Sequence, residues 1–596
     1  MTTAFMDFPP HSTGIDVLRK GTLSHECCLQ PSGEIFDALY GETAQYGTPW
    51  HAYCQAVLAL HSTGEERDCH LGNAFRGLAA AVSHVADPKL TPNLSGITRA
   101  TGCCNYINHR DFFWPAILKT FRILKKAGYP GIDSIASQIA AIRVPAPFHS
   151  APPGNWSAVW LNGELMRMHE GLSDVTRERF DQWLAEFFKL LVHLDRGFYA
   201  EPGLPNSYDL FTRYQLAEIL VEGYDGPWRS SLEQLLVNGL KRSLAVQLSD
   251  GSQGSAYRST GQTWTVGNEI GFFTLAAHYL RKSNPELAAA AENGARLALA
   301  SFVRWFPKDR PYSAVENLLP AEWRVGFETY SLEGCYANLA LGFLADAVER
   351  GFSGTPLYDV ADRPTQVFIE NDPVHRAFTH CGRYSAQVNA WPAPVYDAFG
   401  LVDLSFGPGR YLQTITSARH LQENRPFNVG MALRKHPGRS DIRVVGHQDL
   451  RLDGPIEPLG DGNGFSLRAR ARGDVMDPVA RDAWLYRLSV STDQDGIHVE
   501  ESTPGLHGYK TLILPYLLDA GTGNRTRISV KKKGNETQIL LSLGKEQIMI
   551  RIAAALDQWL DIPYGFENRR GLCGLLRMDL AEPTETIRYT LAVEGD

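Results

Sequence analysis

The chain has 596 residues, of which 44% are hydrophobic and 21% charged, with a formal net charge of −8 and a sequence pI near 6.2. This length favours two or more hydrophobic cores over a single one. An acidic chain of ordinary globular composition lacks the concentrated basic face of a nucleic-acid binder, so that class of partner is excluded.

The N-terminal residues show neither the basic start nor the apolar core of a secretory signal, and no run of about 18 apolar residues could cross a membrane. The nine cysteines are odd in number and include the adjacent pairs Cys27-Cys28 and Cys103-Cys104. This arrangement is unlike a disulfide framework. We therefore expect a cytoplasmic protein without a membrane partner, or a secreted one if a leader has been removed.

From about residue 35 to 350 the apolar residues recur with helical periodicity, and the segments are separated by loops rich in Gly, Pro and Asn. In residues 176–194 they form one stripe: Phe180, Trp183, Leu184, Phe187, Leu190, Leu191 and Leu194. Similar stripes occur in 232–248, 270–280, 287–306 and 332–348. Many helices without intervening strands predict helical hairpins packed in a ring or bundle.

After about residue 365 the period of the apolar residues changes from 3.6 to 2. The alternating segments are 383–391, 441–445, 510–514, 527–530 and 547–552. Turn signals separate them, and one such turn explains the basic run Lys531-Lys532-Lys533 better than a nucleic-acid patch does. This half is predicted to form antiparallel sheets, with the boundary in the breaker-rich residues 351–364.

Three polar loops between helices carry the candidate chemistry, and the longest spans residues 248–264. It contains the glycines Gly251, Gly254 and Gly261, which permit backbone conformations that other residues resist. It also supplies a phenol, a cation, an amide and an indole, from Tyr257, Arg258, Gln262 and Trp264. Such a loop between rigid helices is either a functional site or an ordinary helix connection.

The other two loops each open a helix. In residues 151–164, Asn155 starts a helix, where it either caps the backbone or contacts a ligand. Trp156 and Trp160 lie four residues apart on one helical face, either in the core or as a platform for a sugar ring. In residues 201–213, Asn206 and Asp209 have the spacing of a capping box, with Tyr208 between them.

The order of these motifs resembles that of chondroitin AC and hyaluronate lyases and, more widely, of heparinase II/III-like lyases. The motifs are Asn155-Trp156, Pro205 to Asp209, Asp250-Gly251-Ser252 and Thr260-Gly261. The resemblance implies an N-terminal (α/α) toroid followed by an antiparallel β-sandwich, which correspond here to residues 1–360 and 361–596. It also implies an acidic saccharide as the substrate, cleavage by β-elimination and no cofactor; the oligomeric state is left open.

The chain departs from these lyases at the position of a histidine that normally follows the Asp-Gly-Ser segment. Here Tyr257-Arg258 occupies that region, and no histidine lies between Gly197 and Ala277. The departure leaves three options. They are a mechanism that uses only tyrosine, a histidine from elsewhere such as His169, or a different reaction on the same scaffold.

Elimination of the 4-substituent of a uronic acid begins with removal of the weakly acidic C5 proton. A neutral amide and a cation at the sugar carboxylate, Asn206 and Arg258, would stabilise the enolate-like product. A phenol can remove the proton and protonate the leaving oxygen if a neighbouring cation lowers its pKa, and Tyr257 beside Arg258 fits this role. Tyr208 is the reserve candidate, because adjacent residues of an extended segment point apart.

Five residues are predicted to bind the sugar rings: Asn155, Trp156, Trp160, Gln262 and Trp264. Nothing in the sequence matches a dinucleotide-binding, Walker or Gly-x-Ser-x-Gly motif, in line with the absence of a cofactor. His375, His380-Cys381, Cys69-His70 and Cys103-Cys104 with His109 lack the usual zinc spacing, so no metal site is predicted.

Two other functions are compatible with the same sequence. A glycoside hydrolase would use paired carboxylates. The candidates for those are Glu164, Asp209, Asp250, Glu269, Glu316, Glu328 and Glu333. A non-catalytic carbohydrate-binding protein would need the aromatic residues but no acid–base groups.

Overall fold

The structure is a computed structural model. It describes residues 6, 8–37, 39, 41–44, 46–86, 110–148, 150–200, 207–254, 257–328, 331–391, 397–412, 418–422, 426–434, 442–443, 450–471 and 485–594.

Six helices form a closed inner ring in the first part of the chain. They are α2 (Gly47–Leu60), α4 (Trp114–Lys126), α6 (Asn155–His169), α8 (Tyr208–Val221), α10 (Thr263–Leu280) and α12 (Glu333–Glu349). Each contacts the next in this order, and α12 contacts α2, which closes the ring. The arrangement is a helical toroid, as the sequence predicted.

The remaining helices alternate with the inner ones along the chain. They are α1 (Gly14–Ser24), α3 (Gly64–Ala86), α5 (Ile132–Ala141), α7 (Arg177–Leu190), α9 (Arg229–Val246) and α11 (Pro285–Phe302). Among these, α3 packs on α2 and α4, α9 on α8, and α11 on α10. Each hairpin thus places one helix in the inner ring and one outside it.

Burial distinguishes the two sets of helices. Every residue of α8 from Tyr208 to Leu220 is buried, because the helix is enclosed by neighbours on all sides. In α7 burial is confined to one stripe, from Phe180 to Phe187. The helix ends earlier than its apolar pattern predicts: Leu190 is 62% exposed and the next residues form β3 (Val192–His193), which pairs with β4 (Phe198–Tyr199).

A small four-stranded sheet follows the toroid and joins it to the rest of the chain. Its strands are consecutive and antiparallel: β5 (Gln366–Glu370), β6 (Arg376–Cys381), β7 (Tyr384–Asn389) and β8 (Gly400–Ser405). Every residue of β6, β7 and β8 is buried. One face meets the toroid, where Ser249 donates from its backbone N to Ser385 Oγ at 2.9 Å. The other meets a large sheet, where Thr379 and Thr492 share a hydrogen bond of 2.8 Å.

Two larger antiparallel sheets complete the chain. In sheet order, the seven-stranded sheet contains β10 (Pro426–Phe427), β9 (Ala418–His420), β22 (Leu556–Asn568), β23 (Gly571–Leu580), β18 (Tyr509–Asp519), β11 (Gly430–Arg434) and β12 (Ile442–Arg443). The nine-stranded sheet contains β13 (Leu450–Leu452), β15 (Gly464–Ala471), β16 (Leu485–Asp493), β17 (Gly496–Ser502), β24 (Thr586–Val593), β21 (Glu546–Ile552), β20 (Glu536–Leu543) and β19 (Arg527–Lys533), with β14 (Glu457–Pro458) on β15.

The predicted order of a helical toroid followed by antiparallel sheets is confirmed. The last helix ends at Glu349 and the four-stranded sheet begins at Gln366. A short pair, β1 (Phe36–Asp37) with β2 (Glu42–Thr43), lies within the helical part. The basic run 531–533 closes β19 at a hairpin in which Lys533 is paired with Glu536, as the turn signal predicted. None of the described helices is both long and apolar enough to span a bilayer.

Candidate active site

The starts of the six inner helices meet at one end of the ring. At or just before its first turn, each helix contributes aromatic side chains to one connected cluster: Tyr46, Phe112, Trp156, Tyr208 with Phe211, Trp264 and Tyr336. Because these contacts join the starts of all six helices, the inner helices run in the same direction. We call this end of the ring, defined by these seven residues, the mouth.

The aromatic side chains of the mouth are arranged in depth. Neighbouring ring centroids are 4.9 to 6.2 Å apart, in the range of stacked and edge-to-face pairs. Tyr46 and Trp264 are buried, whereas Trp156 is half-buried and Tyr208 keeps 7% of its surface exposed. Six helix N-termini also point to this end, and their partial positive charges favour an anionic group.

Tyr208, the first residue of α8, is contacted by two residues of the loop that precedes α10. The guanidinium carbon of Arg258 lies 5.3 Å from the centroid of the Tyr208 ring. The hydroxyl of Ser259 donates a hydrogen bond of 3.2 Å to the Tyr208 oxygen. A cation over the ring and a donor to the oxygen both stabilise negative charge on the phenol. Arg258 itself is exposed, whereas Tyr208 keeps 7% of its surface exposed and Ser259 is buried, so Arg258 is the member of this group that a ligand reaches most directly.

The backbone on both sides of Arg258 is held in the left-handed region. Tyr257 has φ 62° and Ser259 has φ 64°, a conformation that costs a non-glycine residue about 1–3 kcal/mol. The neighbouring rim of the toroid holds this conformation, since Ser259 N donates to the carboxylate of Glu328. Arg324 in turn donates to the Glu328 carbonyl at 2.7 Å. The loop is therefore fixed so that residues 258 and 259 reach Tyr208.

Tyr257, the predicted proton-transfer group, points away from Arg258. Its hydroxyl donates a hydrogen bond of 3.0 Å to the carbonyl of Trp391, in the segment after β7. Burial, and then the charge of Asp397, raise the pKa of Tyr257, which opposes formation of a phenolate. The prediction for Tyr257 is therefore wrong in its geometry, and the reserve residue Tyr208 is the one that Arg258 covers.

The structure tests the predicted catalytic role of His169 but not that of Asn206. His169 is the last residue of α6, whose first residue is Asn155, so about 20 Å of helix separate it from the mouth. It contacts Glu222 at 3.0 Å instead. His169 is thus excluded as a substitute for the missing histidine. Asn206 lies outside the described residues, and its predicted role stays a prediction.

The predicted sugar-binding residues on α6 differ in how deeply they are buried. Asn155 is the first helical residue, and Gly154 occupies the N-cap position, so Asn155 is not the cap itself. Trp156 is half-buried beside Phe112 at the mouth. Trp160, one turn further in, is fully buried, stacks on Phe148 and donates to the Ser150 carbonyl at 3.0 Å. Trp160 is therefore a core residue, and its predicted contact with substrate is wrong.

Gln262 and Trp264 are buried below the mouth and pack against its residues. Both are buried, and the Trp264 indole donates to the Gln262 side chain at 2.8 Å. The Gln262 amide donates to Ser331 Oγ at 2.6 Å. These contacts fix the start of α10 and place the Trp264 ring under Tyr208 at 5.6 Å. The direct sugar contacts predicted for Gln262 and Trp264 are thus replaced by a supporting role.

The β region also contributes residues near the mouth that the sequence did not identify. The turn between β22 and β23 consists of Arg569 and Arg570 and reaches the loop before α10. Trp391, whose carbonyl binds Tyr257, is 49% exposed and stacks on His375 at 5.8 Å. The only sequence signal for the turn was two adjacent arginines before a glycine, which does not reveal a contact more than 300 residues away.

Arg570 anchors that turn in a buried cluster of three carboxylates. Its Nε binds Glu316 at 2.9 Å, and its two Nη atoms lie 3.4 Å from Asp403 and 3.4 Å from Asp250. Arg304 adds a second guanidinium 2.9 Å from Asp250. Burial raises the pKa of Asp403 to about 6 even beside Arg570. The cluster therefore ties the toroid loops to the β region and is not itself a catalytic pair.

Four of the carboxylates predicted for a hydrolase are buried and bound by arginines in the same way: Glu164, Asp209, Asp250 and Glu316. Glu269 is also buried, but its oxygens have no hydrogen-bond partner among the described residues. Asp209, for example, binds Arg213 at 2.9 Å and also Arg242, and these charges outweigh its burial and lower its pKa to about 2. Glu328 and Glu333 are half-buried, and burial raises the pKa of Glu333 to about 7.

Among the described residues, no group of three His, Cys, Asp or Glu side chains is arranged to hold a metal ion. His380, one of the residues considered from the sequence, is buried and donates to the Ala245 carbonyl at 2.8 Å. Cys103, Cys104 and His109 lie outside the described residues.

No protein-family model matches the chain, and no curated protein matches it in sequence. Solved structures match it in fold. One is the chondroitin AC lyase of Streptomyces coelicolor A3 in complex with chondroitin sulphate, with 10% identity and a TM-score of 0.48. The match covers 99% of this chain and 81% of that chain.

Two other matches extend the comparison. Heparinase III has 10% identity, covers 81% of this chain and 76% of its own, and gives a TM-score of 0.30. The GH76A α-1,6-mannanase from Salegentibacter sp. HEL1_6 has 12% identity, covers 56% and 98%, and gives a TM-score of 0.37. One of the three is thus named as a lyase and one as a mannanase. At TM-scores of 0.30 to 0.48 they assign no activity.

Proposed function

We propose that the chain is a lyase that cleaves a uronic-acid-containing oligo- or polysaccharide by β-elimination at the mouth of the toroid. The observation that carries the proposal is the phenol of Tyr208, which has the Arg258 guanidinium over its ring and the Ser259 hydroxyl at its oxygen. A phenol can act as the base that removes a proton beside a carboxylate, and a guanidinium can stabilise the negative charge that develops there.

In the proposed reaction, the Tyr208 oxygen accepts the C5 proton of the uronate while Arg258 binds the sugar carboxylate. The electrons of the C5–H bond form the C4–C5 double bond, and the bond from C4 to the glycosidic oxygen breaks. The phenol then returns its proton to that leaving oxygen. Ser259, by donating to the Tyr208 oxygen, stabilises the phenolate at the start of the cycle.

Substrate binding is supported by the remaining residues of the mouth. The half-buried Trp156 offers an indole face, beside Phe112, for a sugar ring. The six converging helix N-termini favour the negative charge of a uronate. This local positive character compensates for the net charge of −8 of the whole chain.

A hydrolase is the second candidate, and one observation favours it. Glu333, the first residue of α12, is half-buried and has a pKa raised to about 7, so it could act as a proton donor at neutral pH. It would need a second carboxylate across the sugar. Glu328, the other half-buried member of the predicted set, is already bound by the backbone of Ser259. The lyase is preferred because its groups are already in contact.

The test is a screen of uronate oligosaccharides that follows two products at once. Elimination creates a conjugated double bond with ultraviolet absorbance, whereas hydrolysis creates a reducing end without it. We expect each new chain end to be matched by one double bond. Reducing ends formed without absorbance would instead assign a hydrolase, and binding without either product would assign a carbohydrate-binding protein.

A further inference from the structure

Two adjacent thiols lie in the single 3-10 turn Glu26–Cys28, which follows α1. The sulfur atoms of Cys27 and Cys28 are 3.8 Å apart, so the two side chains are turned toward each other. Cys27 is exposed, Cys28 is half-buried, and both are free thiols. The pair that is adjacent in the sequence is therefore also in contact in space.

Contacts with the surrounding turn hold the two thiols in different settings. The Cys27 thiol donates to the Ser24 carbonyl at 3.5 Å, at the end of α1. Cys28 donates from its backbone N to the His25 carbonyl at 2.9 Å, and its side chain packs against the core of the toroid. A small oxidant in solution therefore reaches Cys27 first, with the Cys28 sulfur beside it.

A bond between these two sulfurs would be easy to reduce because the residues are adjacent. Bonded sulfurs are about 2.05 Å apart, so the two atoms need to approach by less than about 2 Å. The Cα atoms of neighbouring residues, however, are about 3.8 Å apart, closer than the roughly 4.4–6.8 Å of ordinary disulfides. The bond would thus be strained, and strained or exposed disulfides are the readily reduced ones.

The two thiols also differ in their protonation. Burial, and then the charge of Cys27, raise the pKa of Cys28 to about 12, so Cys28 keeps its proton at neutral pH. The thiolate is the form of cysteine that attacks an oxidant, so Cys28 is unsuited to react first. The exposed Cys27 is left as the first nucleophile.

We propose that Cys27 and Cys28 form a reversible vicinal disulfide when the protein is exposed to a peroxide. The Cys27 sulfur attacks one oxygen of hydrogen peroxide, the O–O bond breaks, and Cys27 becomes a sulfenic acid as one water leaves. The Cys28 sulfur then displaces hydroxide from the Cys27 sulfur, and the Cys28 proton converts that hydroxide to a second water. The two thiols have together lost two electrons and two protons, and the peroxide has gained them.

The experiment treats the full chain with hydrogen peroxide until Cys69, an exposed thiol on α3, is oxidised. Remaining thiols are then alkylated, and the cysteine-containing peptides are identified by mass spectrometry. The peptide with Cys27 and Cys28 is expected to lose two hydrogens and to take up no alkyl group, and reduced glutathione should restore both thiols. Oxygen gained at Cys27 with Cys28 still alkylated, an unoxidised pair, or a cross-link to another cysteine would overturn the inference.

Two serine variants are compared with the native protein. Cys28→Ser removes the second thiol, so the sulfenic acid of Cys27 should persist and be captured by dimedone, which should label little Cys27 in the native protein. Cys69→Ser keeps the pair and should leave the loss of two hydrogens unchanged. Equal dimedone labelling of Cys27 in the native protein and in Cys28→Ser would show that Cys28 takes no part.

The outcome at this pair does not depend on the reaction proposed at the mouth. The measurement follows the mass of two side chains and needs no saccharide. Failure of the elimination reaction would therefore leave the thiol result unchanged, and failure of the thiol result would leave the proposed lyase unchanged.

Discussion

The two ends of the helical ring are built from opposite kinds of side chain. The mouth presents aromatic rings with the exposed Arg258 at their edge. Deeper in the ring, toward the ends of the same helices, charged residues of α4, α8 and α12 form one buried network: Lys119, Glu218, Asp346 and Arg350, with the phenols of Tyr53 and Tyr214. We call this network the closed end.

Charges at the closed end are paired with one another. Arg350 binds Glu218 at 2.5 Å and Asp346 at 3.0 Å, and Lys119 binds both carboxylates as well. Tyr214 donates to Asp346 at 2.7 Å. Removal of any one of these partners would leave another charge buried and unpaired. Both ends of the ring carry charged side chains. The mouth differs from the closed end because its Arg258 is exposed, whereas the charged groups of the closed end are buried and bind one another.

The largest effect on activity is expected at Tyr208. Tyr208→Phe removes the oxygen that transfers the proton but keeps the ring that packs on Trp264. Loss of a general acid–base group lowers kcat by roughly 10²–10⁴-fold. The hydrogen bond from Ser259 is lost from the fold, and a bond of this kind contributes about 1 kcal/mol to the free energy of unfolding. Steady-state rates and urea unfolding measure the two quantities.

Matched variants distinguish this proposal from its rivals. Tyr257→Phe loses only the hydrogen bond to the Trp391 carbonyl, so it should retain most of the activity. Glu333→Gln should also retain it, because the proposed elimination uses no carboxylate. Loss of activity in Tyr257→Phe with full activity in Tyr208→Phe would reverse the assignment, and inactivation by Glu333→Gln alone would favour a hydrolase.

The largest effect on stability is expected at the closed end. Asp346→Asn leaves Lys119 and Arg350 with only one of their two shared carboxylates, Glu218, in a buried site. Removal of one partner from a buried ion network destabilises a protein by about 3–5 kcal/mol. The free energy of unfolding, measured by urea titration, should fall by that amount, while kcat per folded molecule remains near that of the native protein.

The control at the same place is Tyr53→Phe, which removes the hydroxyl that donates to Glu349 and lies 3.3 Å from Asp346 but leaves every charge in the network. Its expected cost is about 1.5–3 kcal/mol, the range for a hydrogen bond to a charged group. If Asp346→Asn were no more destabilising than Tyr53→Phe, the network would not be the element that closes this end of the ring.

The fold could be predicted because periodicity is a local property of the sequence. The change from period 3.6 to period 2 placed the transition near residue 360, and the structure has it between Glu349 and Gln366. Periodicity identifies the buried face of a helix but not how deep a residue lies along the axis. Trp156 and Trp160 share a face, yet one lies at the mouth and the other in the core.

The candidate site could be predicted only in part. The loop before α10 was identified, but its two left-handed residues, Tyr257 and Ser259, are not glycines and gave no signal in the sequence. Those two conformations turn Tyr257 toward the β region and Arg258 toward Tyr208. Arg569 was missed because its proximity to Gly261 arises from the packing of distant elements.

A smaller effect is expected at the rim of the mouth. Trp156→Ala removes the half-buried indole proposed to stack on a sugar ring. An aromatic stacking contact contributes about 0.5–1.5 kcal/mol, so KM should rise by up to about tenfold with little change in kcat. Trp160→Phe, one turn deeper, should lower stability and leave KM unchanged, and a similar KM effect of both would contradict the depth assignment.

Glu269 on α10 is a buried carboxylate that lacks the compensation found at the closed end. It is fully buried, and within the described part of the chain neither of its oxygens has a hydrogen-bond partner. Burial, and then the charges of Asp250 and Glu316, raise its pKa well above the ordinary value of 4.5, against the opposing charge of Arg363. The folded protein therefore holds this proton to a higher pH than the unfolded chain does.

A pH-dependent effect on stability follows from that proton. Above pH 4.5 the unfolded chain releases it while the folded chain retains it, so stability falls as the pH rises toward the folded-state pKa. Glu269→Gln removes this dependence: its stability should equal that of the native protein near pH 4 and exceed it at pH 8, by about 1.4 kcal/mol for each unit by which folding raises the pKa. Urea unfolding at both pH values measures the difference. Asp209→Asn, which removes a carboxylate whose pKa the charges of Arg213 and Arg242 lower to about 2, should destabilise at pH 8, and the same sign for both variants would show that partners do not distinguish these two carboxylates.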